Sequence, residues 1–358
     1  MTLKSLELQN FRNHHKLNLE FSEQTTLVTG PNGSGKTNIL EAIYILATGK
    51  SFKTGKDSEL FTFGETSASL SANLDTVHLE LNLMTTPETL RSPSKPEGRS
   101  GGEGGPTKKL FKVNNVPKSQ NRFSGNLKIV LFRPEDLDLL TDGPSLRRDF
   151  LNEALCQISK EYYVALKDYN RGLMQRNRLL KDFCSERDLT FWDGVLIKNG
   201  QRIQEERCQL LERFNHELPR VLSSLFPQLP SFPLVVRYSP NKISEERIVS
   251  HRQAEHAAGI TLIGPHRDDF EALENGHNLT KFGSRGEQRT AVLALKLVEL
   301  DLLTIEDERP LLLLDDIFSE LDRTHQEAIK NIVGNQQTIL TTTKKPSNIT
   351  PVHQFTLA

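Results

Sequence analysis

A glycine-rich run at residues 30–38 carries the clearest chemistry in this sequence. It reads G-P-N-G-S-G-K-T-N and fits the phosphate-binding pattern G-x-x-x-x-G-K-[ST]. Glycines let the backbone curl around a phosphate chain with its N–H groups pointing inward, and a following helix adds the positive end of its dipole. The pattern predicts that Lys36 reaches the β and γ phosphates of a nucleotide and that Thr37 holds Mg²⁺. The predicted nucleotide-binding residues of the run are Gly30, Pro31, Asn32, Gly33, Ser34, Gly35, Lys36, Thr37 and Asn38.

Two adjacent carboxylates form a second candidate site. They follow four consecutive leucines, Leu311–Leu314, which are typical of a buried parallel strand. Asp315 suits the Mg²⁺ shell, and Asp316 can orient or deprotonate the water that attacks a γ phosphate. We therefore predict Lys36, Asp315 and Asp316 as catalytic residues, with Thr37 and Asp315 as the metal ligands.

A third motif opens an apolar helix near residue 284. A serine and a glycine at a helix start form an N-cap with free backbone N–H groups, which is an anion site. An ordinary capped helix is the alternative, and the order of the three motifs along the chain favours the anion site. The motif consists of Ser284, Arg285, Gly286, Glu287 and Gln288.

The elements around the first motif have the required types. Thr25–Val28 is β-branched and apolar like a buried strand, and apolar residues recur at helical spacing from Ile39 to Leu46. Leu3–Leu8 and Leu17–Phe21 alternate like two strands of a hairpin. Arg12 and Asn13 lie between these strands and either contact adenine or phosphate or form an exposed turn.

Further along the chain, two apolar seams predict two long helices folded back on each other. The first seam runs from Leu151 to Tyr169 and the second from Trp192 to Leu210, on either side of a polar break near Cys184–Asp188. Basic residues accumulate towards the end of the first helix and either neutralise DNA phosphates or form a solvated face. They are Lys167, Arg171, Arg176, Arg178 and Lys181.

Composition limits the class of protein. The formal charge of -1 gives no global field that attracts nucleic acid, so any DNA contact must be local. The three cysteines lie far apart, and the sequence shows neither a signal peptide nor a run long enough to span a bilayer. We expect a cytoplasmic protein without membrane contact. The segment Pro87–Lys109 is rich in Gly, Ser, Pro and Lys and predicts a surface loop within a hairpin.

The order of these motifs resembles the ABC-type ATPases, in the branch that contains the SMC proteins. Ser319 and Asp322 then correspond to the D-loop of that class. Further stretches resemble the RecF family of bacterial recombination mediators. They are Leu8–Asn13, Phe132–Leu137, Arg147–Leu151 and Gly264–Asp268.

The resemblance implies a fold and a function. The fold is α/β, an ABC-type P-loop ATPase head with a mixed sheet and a second lobe that contains a long helical hairpin. ATP joins two copies head to tail, with Ser284 and Gly286 of one copy touching the γ phosphate held by Lys36 of the other. The dimer is a weak, DNA-dependent ATPase that binds single-stranded DNA and gapped duplex, and with RecO and RecR it loads RecA onto strands coated by SSB.

The sequence departs from the ABC pattern at three places. Asp316 replaces the usual glutamate and predicts slow hydrolysis, and Thr341–Thr343 stands where a histidine is usual. No glutamine follows Phe132, so Glu135 or Asp136 takes that role. The alternative functions are the ATPase subunit of a transporter or of a nuclease-coupled machine. We expect one lobe from residues 1–142 with 307–358 and a second from residues 143–306.

Overall fold

The computed structural model describes residues 2–85, 107–182, 186–228, 232–306, 308–343 and 351–357. The chain divides into two compact units, here called the P-loop unit (Met1–Pro134 with Thr304–Ala358) and the helical unit (Glu135–Leu303). The first division thus falls directly after Pro134, where the strand at residues 129–132 has ended, and not at residue 142.

The P-loop unit contains an antiparallel sheet whose apolar face is buried. Its alternating strands place Leu6, Leu8, Leu70 and Leu81 in the core, as period-two patterning requires. In sheet order the strands are β2 (His14–Glu20), β1 (Leu3–Phe11), β4 (Ser67–Leu74), β5 (His78–Thr85), β6 (Thr107–Val113) and β7 (Val116–Lys118). The hairpin predicted from the N-terminal alternation is confirmed.

A second sheet of the P-loop unit is parallel and carries the predicted site. Its strands are β14 (His353–Thr356), β3 (Thr25–Thr29), β13 (Thr338–Thr342), β12 (Leu311–Asp315) and β8 (Ile129–Phe132), in that order. Strands β3, β12 and β13 are buried along their whole length, as their continuous apolar or β-branched sequences predict. The helices of the unit are α1 (Lys36–Thr48), α2 (Gln120–Phe123) and α9 (Arg323–Val333).

The predicted loop at Pro87–Lys109 lies mostly outside the described residues. Strands β5 and β6 on either side of it pair antiparallel, so the hairpin is confirmed. Thr107–Lys109 belong to β6, and the predicted loop is therefore too long at this end.

The helical unit is built on an antiparallel helix pair. Its helices are α3 (Pro144–Ile158), α4 (Lys160–Lys181), α5 (Glu186–Leu225), α6 (Glu245–Ala258), α7 (Leu279–Phe282) and α8 (Arg285–Leu303). A small antiparallel sheet completes it with β11 (His277–Asn278), β10 (Asp269–Glu274) and β9 (Leu234–Ser239). Helices α4 and α5 pack along each other, which confirms the predicted hairpin.

The first predicted seam is wrong in one respect, because it spans two helices. The chain leaves helical geometry at Ser159, whose side chain accepts a hydrogen bond from the Tyr162 N–H and caps α4. Ile158, a seam position, is 36% exposed. Apolar spacing does not mark this helix boundary. The Ser159 side chain does, because it supplies the partner that the Tyr162 N–H lacks in the first turn of a new helix. Within the described ranges, no helix combines the length and the apolar composition needed to cross a membrane.

Candidate nucleotide-binding site

The glycine-rich loop connects β3 to α1 in the P-loop unit. Gly35 caps α1 with a φ of 95°, a left-handed conformation that L side chains rarely adopt. A Cβ at this position would lie 2.5 Å from both Asn13 Oδ1 and His14 Nε2. The turn between β1 and β2 therefore packs against the loop so closely that only glycine fits at residue 35.

Lys36 lies along the loop and contacts its carbonyl groups. The side chain is buried, and its Nζ donates hydrogen bonds of 2.8 Å to the carbonyl oxygens of Gly30 and Pro31. An ammonium group has three N–H donors, and these two hydrogen bonds use two of them, so one donor remains. This geometry holds a positive charge at the loop, where a phosphate is expected to bind.

The first aspartate of the pair accepts two hydroxyl groups. Asp315 Oδ1 accepts a hydrogen bond of 2.9 Å from Thr37 Oγ1 and one of 2.6 Å from Thr341 Oγ1. Parallel pairing of β12 with β13 sets Asp315 opposite Thr341. Thr341, which stands where a histidine is usual, therefore contacts Asp315, the candidate metal ligand, directly. Carboxylate and hydroxyl oxygens are hard ligands of the kind that Mg²⁺ prefers.

Asp316 differs from its neighbour because one oxygen of its carboxylate is unsatisfied. Its backbone has a φ of 46°, and its N–H donates to the Thr341 carbonyl at 3.0 Å. Asp316 Oδ1 is buried with no hydrogen-bond partner among the described residues, and the same holds for Ser34 Oγ in the loop. Buried polar atoms are rarely left unpaired. These two fit a site that is completed by a ligand, and the residues present therefore suit a nucleotide with Mg²⁺.

Asn13 contacts the glycine-rich loop, whereas all three guanidinium nitrogens of Arg12 bind Glu41 of α1 and the Glu59 carbonyl. Arg12 donates from Nε and Nη2 to both oxygens of the fully buried Glu41 in α1, at 2.9 and 2.6 Å. Asn13 Nδ2 donates to the Gly33 carbonyl at 3.4 Å, and Asn13 Oδ1 accepts from Asn38 Nδ2 at 2.8 Å. Burial beside this turn lowers the pKa of His14, an effect that the Gly35 carbonyl opposes.

Sequence reasoning missed three residues of this group, Glu41, Ser51 and Lys53. Glu41 is the carboxylate that holds Arg12, and Lys53 Nζ donates to Asn38 Oδ1 at 2.7 Å. The segment that follows α1 adds Ser51, whose Oγ donates to Glu41 at 2.5 Å. The lysines that follow Gly49 could have indicated that a basic residue lies near the loop. Nothing in the sequence of α1 indicated that Glu41 is a buried charged residue.

Ser319 and Asp322, the candidate D-loop residues, both form hydrogen bonds with nearby residues of the P-loop unit. Ser319 Oγ donates to the Asp316 carbonyl at 2.7 Å, so Ser319 contacts the carboxylate pair through the backbone. Asp322 caps α9, where Oδ1 accepts from the N–H and the Nδ1 of His325 at 3.0 and 2.8 Å.

The Ser284 motif lies in the helical unit and forms a capping box. The Ser284 N–H donates to Glu287 Oε2 at 2.7 Å, and the Glu287 N–H donates to Ser284 Oγ at 3.3 Å. Gln288 Nε2 donates to the Leu279 carbonyl at 2.8 Å. Arg285 and Gly286 are exposed. First-turn N–H groups have no partner within an α-helix, so this end of α8 retains donors for an anion.

One predicted DNA contact is wrong. Arg176 is fully buried, and its three guanidinium nitrogens donate to Asp193, Thr261 and Glu255 at 2.7, 2.9 and 2.6 Å. A guanidinium that is enclosed in this way cannot reach a phosphate. The remaining four, Lys167, Arg171, Arg178 and Lys181, are exposed.

The polar run at residues 264–269 is structural. Asp268 accepts from Arg207 Nη1 at 2.9 Å and from the Tyr238 hydroxyl, and Asp269 pairs with Arg147 at 2.6 Å. Among the described residues, no group of three or more His, Cys, Asp or Glu side chains could hold a metal ion.

The two candidates for the missing glutamine differ in exposure. Glu135 is exposed and Asp136 is half-buried in the 3₁₀ turn Pro134–Asp138. Which of these two replaces the missing glutamine stays a prediction.

Comparison with known proteins identifies the class. The family model described as RecF/RecN/SMC N terminal domain matches residues 2–350. The fold and the site therefore define an ATPase head of the RecF/RecN/SMC class. The expected α/β architecture is confirmed, with its described strands in one parallel and two antiparallel sheets.

Individual relatives narrow the class to one family. The chain is 36% identical to the DNA replication and repair protein RecF of Acetivibrio thermocellus, over 96% of this chain and 94% of that protein. It is 38% identical to the RecF of Lachnospira eligens, over 96% and 93%. A solved structure of the recombination mediator protein RecF-ATPrS in the RecFOR pathway shares 31% identity and a TM-score of 0.85, covering 100% of this chain and 96% of that one. This chain belongs to the RecF family of DNA replication and repair proteins.

Proposed function

We propose that this chain is a DNA clamp that closes when it binds ATP and opens when it hydrolyses it. The observation that carries this proposal is the pair of aspartates at the end of β12. Asp315 accepts two hydroxyl groups at 2.9 and 2.6 Å, whereas Asp316 keeps a buried oxygen without a partner among the described residues. This difference supports separate roles, with Asp315 as a metal ligand and Asp316 as the residue that orients a water.

In this proposal the glycine-rich loop binds ATP, with Lys36 on the β and γ phosphates and Arg12 and Asn13 beside the loop. Thr37 and Asp315 hold Mg²⁺, which neutralises phosphate charge when bound. Asp316 orients the attacking water. Because its side chain is one methylene shorter than glutamate, hydrolysis is slow. The resemblance to the RecF family supports stimulation of this weak activity by DNA.

Two copies complete each site. The N-terminus of α8, with Ser284 and Gly286, supplies donors to the γ phosphate that the other copy holds. ADP has no γ phosphate and therefore cannot accept hydrogen bonds from α8 of the other copy, so only ATP stabilises the homodimer.

The substrate we propose is single-stranded DNA and gapped duplex. The four exposed basic residues of α4 support phosphate contact, since cations along one helix neutralise successive phosphates. Membership of the RecF family and likeness to a protein of the RecFOR pathway support action with RecO and RecR in loading RecA onto SSB-coated strands, in the cytoplasm.

A retention assay on gapped duplex tests the proposal. Fluorescent gapped DNA is titrated with the protein in Mg²⁺ plus ATP, ADP or no nucleotide, while phosphate release and DNA cleavage are followed in parallel. We expect retention with ATP alone, slow phosphate release and intact DNA, and we expect Lys36→Ala to lose the ATP effect. Cleavage of the DNA, or equal retention in all three conditions, would contradict the proposal.

A further inference from the structure

An exposed aromatic side chain stands directly before the capped helix α8. Phe282 is the last residue of α7, and 74% of its surface is exposed. Its ring makes one edge contact with His277, at a centroid distance of 6.4 Å. A large aromatic side chain left in water adds no stability to the fold, and aromatic side chains are enriched at the centres of protein interfaces.

The helix that carries Phe282 is firmly held on its other side. Leu279 is 2% exposed, and the Thr280 hydroxyl donates to the Leu140 carbonyl at 2.6 Å. The Leu279 carbonyl also accepts from Gln288 Nε2 at 2.8 Å, which ties α7 to the first turn of α8. Because these contacts hold α7 in place, little conformational entropy is lost when a partner covers Phe282.

Gly283 fixes the spacing between Phe282 and Ser284. A Cβ at residue 283 would lie 2.7 Å from the backbone oxygen of Leu279, so the close turn excludes any other residue without a backbone shift. The tight turn therefore holds Phe282 next to the N-terminus of α8, and both are exposed. Lys281 and Arg285 are exposed on either side of the ring along the chain.

We propose that Phe282 anchors the contact between two copies of this chain, packing against the P-loop unit of the second copy beside its bound ATP. This inference rests on the proposed function, because it needs the ATP-dependent dimer. Two features favour a second copy as the partner. The surface is continuous with the helix end proposed to reach the other copy's γ phosphate, and its two cations complement the negative charge of a nucleotide-loaded P-loop. Stacking on single-stranded DNA is the competing role, but such sites use successive aromatic side chains.

Sedimentation with ATP and Mg²⁺, in the absence of DNA, tests this inference with a matched control. Phe191 in the same unit is 65% exposed and lies on the helical hairpin, so Phe191→Ala removes an equally exposed ring elsewhere. We expect Phe282→Ala to raise the dimer dissociation constant about 10- to 100-fold, the effect of removing an interface anchor. Phe191→Ala should stay within about twofold, and Phe282→Leu should recover part of the loss.

The outcomes separate this inference from the proposed function. Thermal unfolding and ATP binding by the dilute single subunit should be unchanged in Phe282→Ala, which shows that the variant is folded. If Phe282→Ala dimerises like the wild type, the proposed role of Phe282 is overturned and the proposed clamp is unaffected. If such a variant has lost only its affinity for single-stranded DNA, the ring is a base-stacking residue. A wild-type protein that stays monomeric with ATP overturns both.

Discussion

The phosphate loop and the buried arginines of the helical unit use similar polar groups in opposite ways. Arg176 and Arg207 are both buried, and each guanidinium nitrogen has at least one partner. At the phosphate loop, Ser34 Oγ and Asp316 Oδ1 are buried without partners among the described residues. Among the described residues both of these guanidinium groups are thus fully paired, although Nη1 of Arg252, which also binds Asp193, is buried without a partner. At the phosphate loop, the unpaired oxygens fit a site that a ligand completes.

This difference separates architecture from function. A buried charge whose partners are all present holds elements together, and losing one partner leaves the others uncompensated. An unsatisfied carboxylate costs stability and is retained where a ligand or a reaction needs it. Substitutions in the two regions should therefore have opposite profiles, with stability lost in the one and nucleotide chemistry lost in the other.

The largest expected effect is on the stability of the helical unit. Arg176→Met leaves the buried Glu255 without its cation and removes one of the two arginines that pair with Asp193, so the free energy of unfolding should fall by about 3 to 5 kcal/mol. Urea unfolding followed by circular dichroism measures it. Arg178→Ala is the control, because that exposed side chain pairs with Asp182 only at 3.6 Å and should change stability by less than about 0.5 kcal/mol. Equal effects of the two substitutions would contradict the distinction.

The next effect is on catalysis without loss of stability. Asp316→Asn keeps the shape of the side chain and removes the charge, so ATP turnover should fall by about 10²- to 10³-fold. Stability should stay unchanged or rise, since the buried oxygen has no partner to lose. Phosphate release and thermal unfolding measure the two quantities, with the exposed Asp138→Asn as control. A marked loss of stability in Asp316→Asn would show that the carboxylate is structural.

The sequence specified one of these regions far better than the other. The phosphate loop, β3, β12 and the capped start of α8 were predictable because each depends on residues close together in the chain. The partners of Arg176 come from α5, α6 and the turn after α6, so its sequence neighbours, which are basic, suggested a solvated face. Glu41 was missed for the same reason, since Arg12 reaches it from another element.

A pH-dependent effect of intermediate size is expected from His266. Its Nε2 donates to the Thr261 carbonyl at 3.1 Å, so its Nδ1 accepts from the Tyr169 hydroxyl at 2.7 Å. Burial lowers the pKa of His266 to about 4. The neutral ring therefore stabilises the folded state fully above pH about 6.5, and this contribution of about 3 kcal/mol is lost as the pH falls towards 4.

His266→Asn tests this titration, because the amide oxygen can still accept from Tyr169 and does not titrate. The difference in unfolding free energy between wild type and variant should narrow between pH 7 and 4. A constant difference would show that burial does not lower the pKa of His266.

The smallest effect is expected on DNA affinity. Arg171→Ala removes one exposed cation of α4 and should weaken retention of gapped duplex only severalfold, while reducing the salt dependence by about one counterion. Fluorescence anisotropy at several salt concentrations measures both. Arg237→Ala, an exposed arginine paired with Glu271 on the small sheet, is the control. Identical salt slopes for both variants would remove α4 from the DNA interface.

The central claim is that one copy of the chain does not contain a complete catalytic site. It is tested most directly by mixing Lys36→Ala with Ser284→Arg, each inactive alone, and measuring ATP hydrolysis. A mixed dimer contains one site with Lys36 from one copy and Ser284 from the other, so the account predicts that mixing restores part of the wild-type rate. If the mixture stays as inactive as its components, or if Ser284→Arg alone hydrolyses ATP at the wild-type rate, the claim is contradicted.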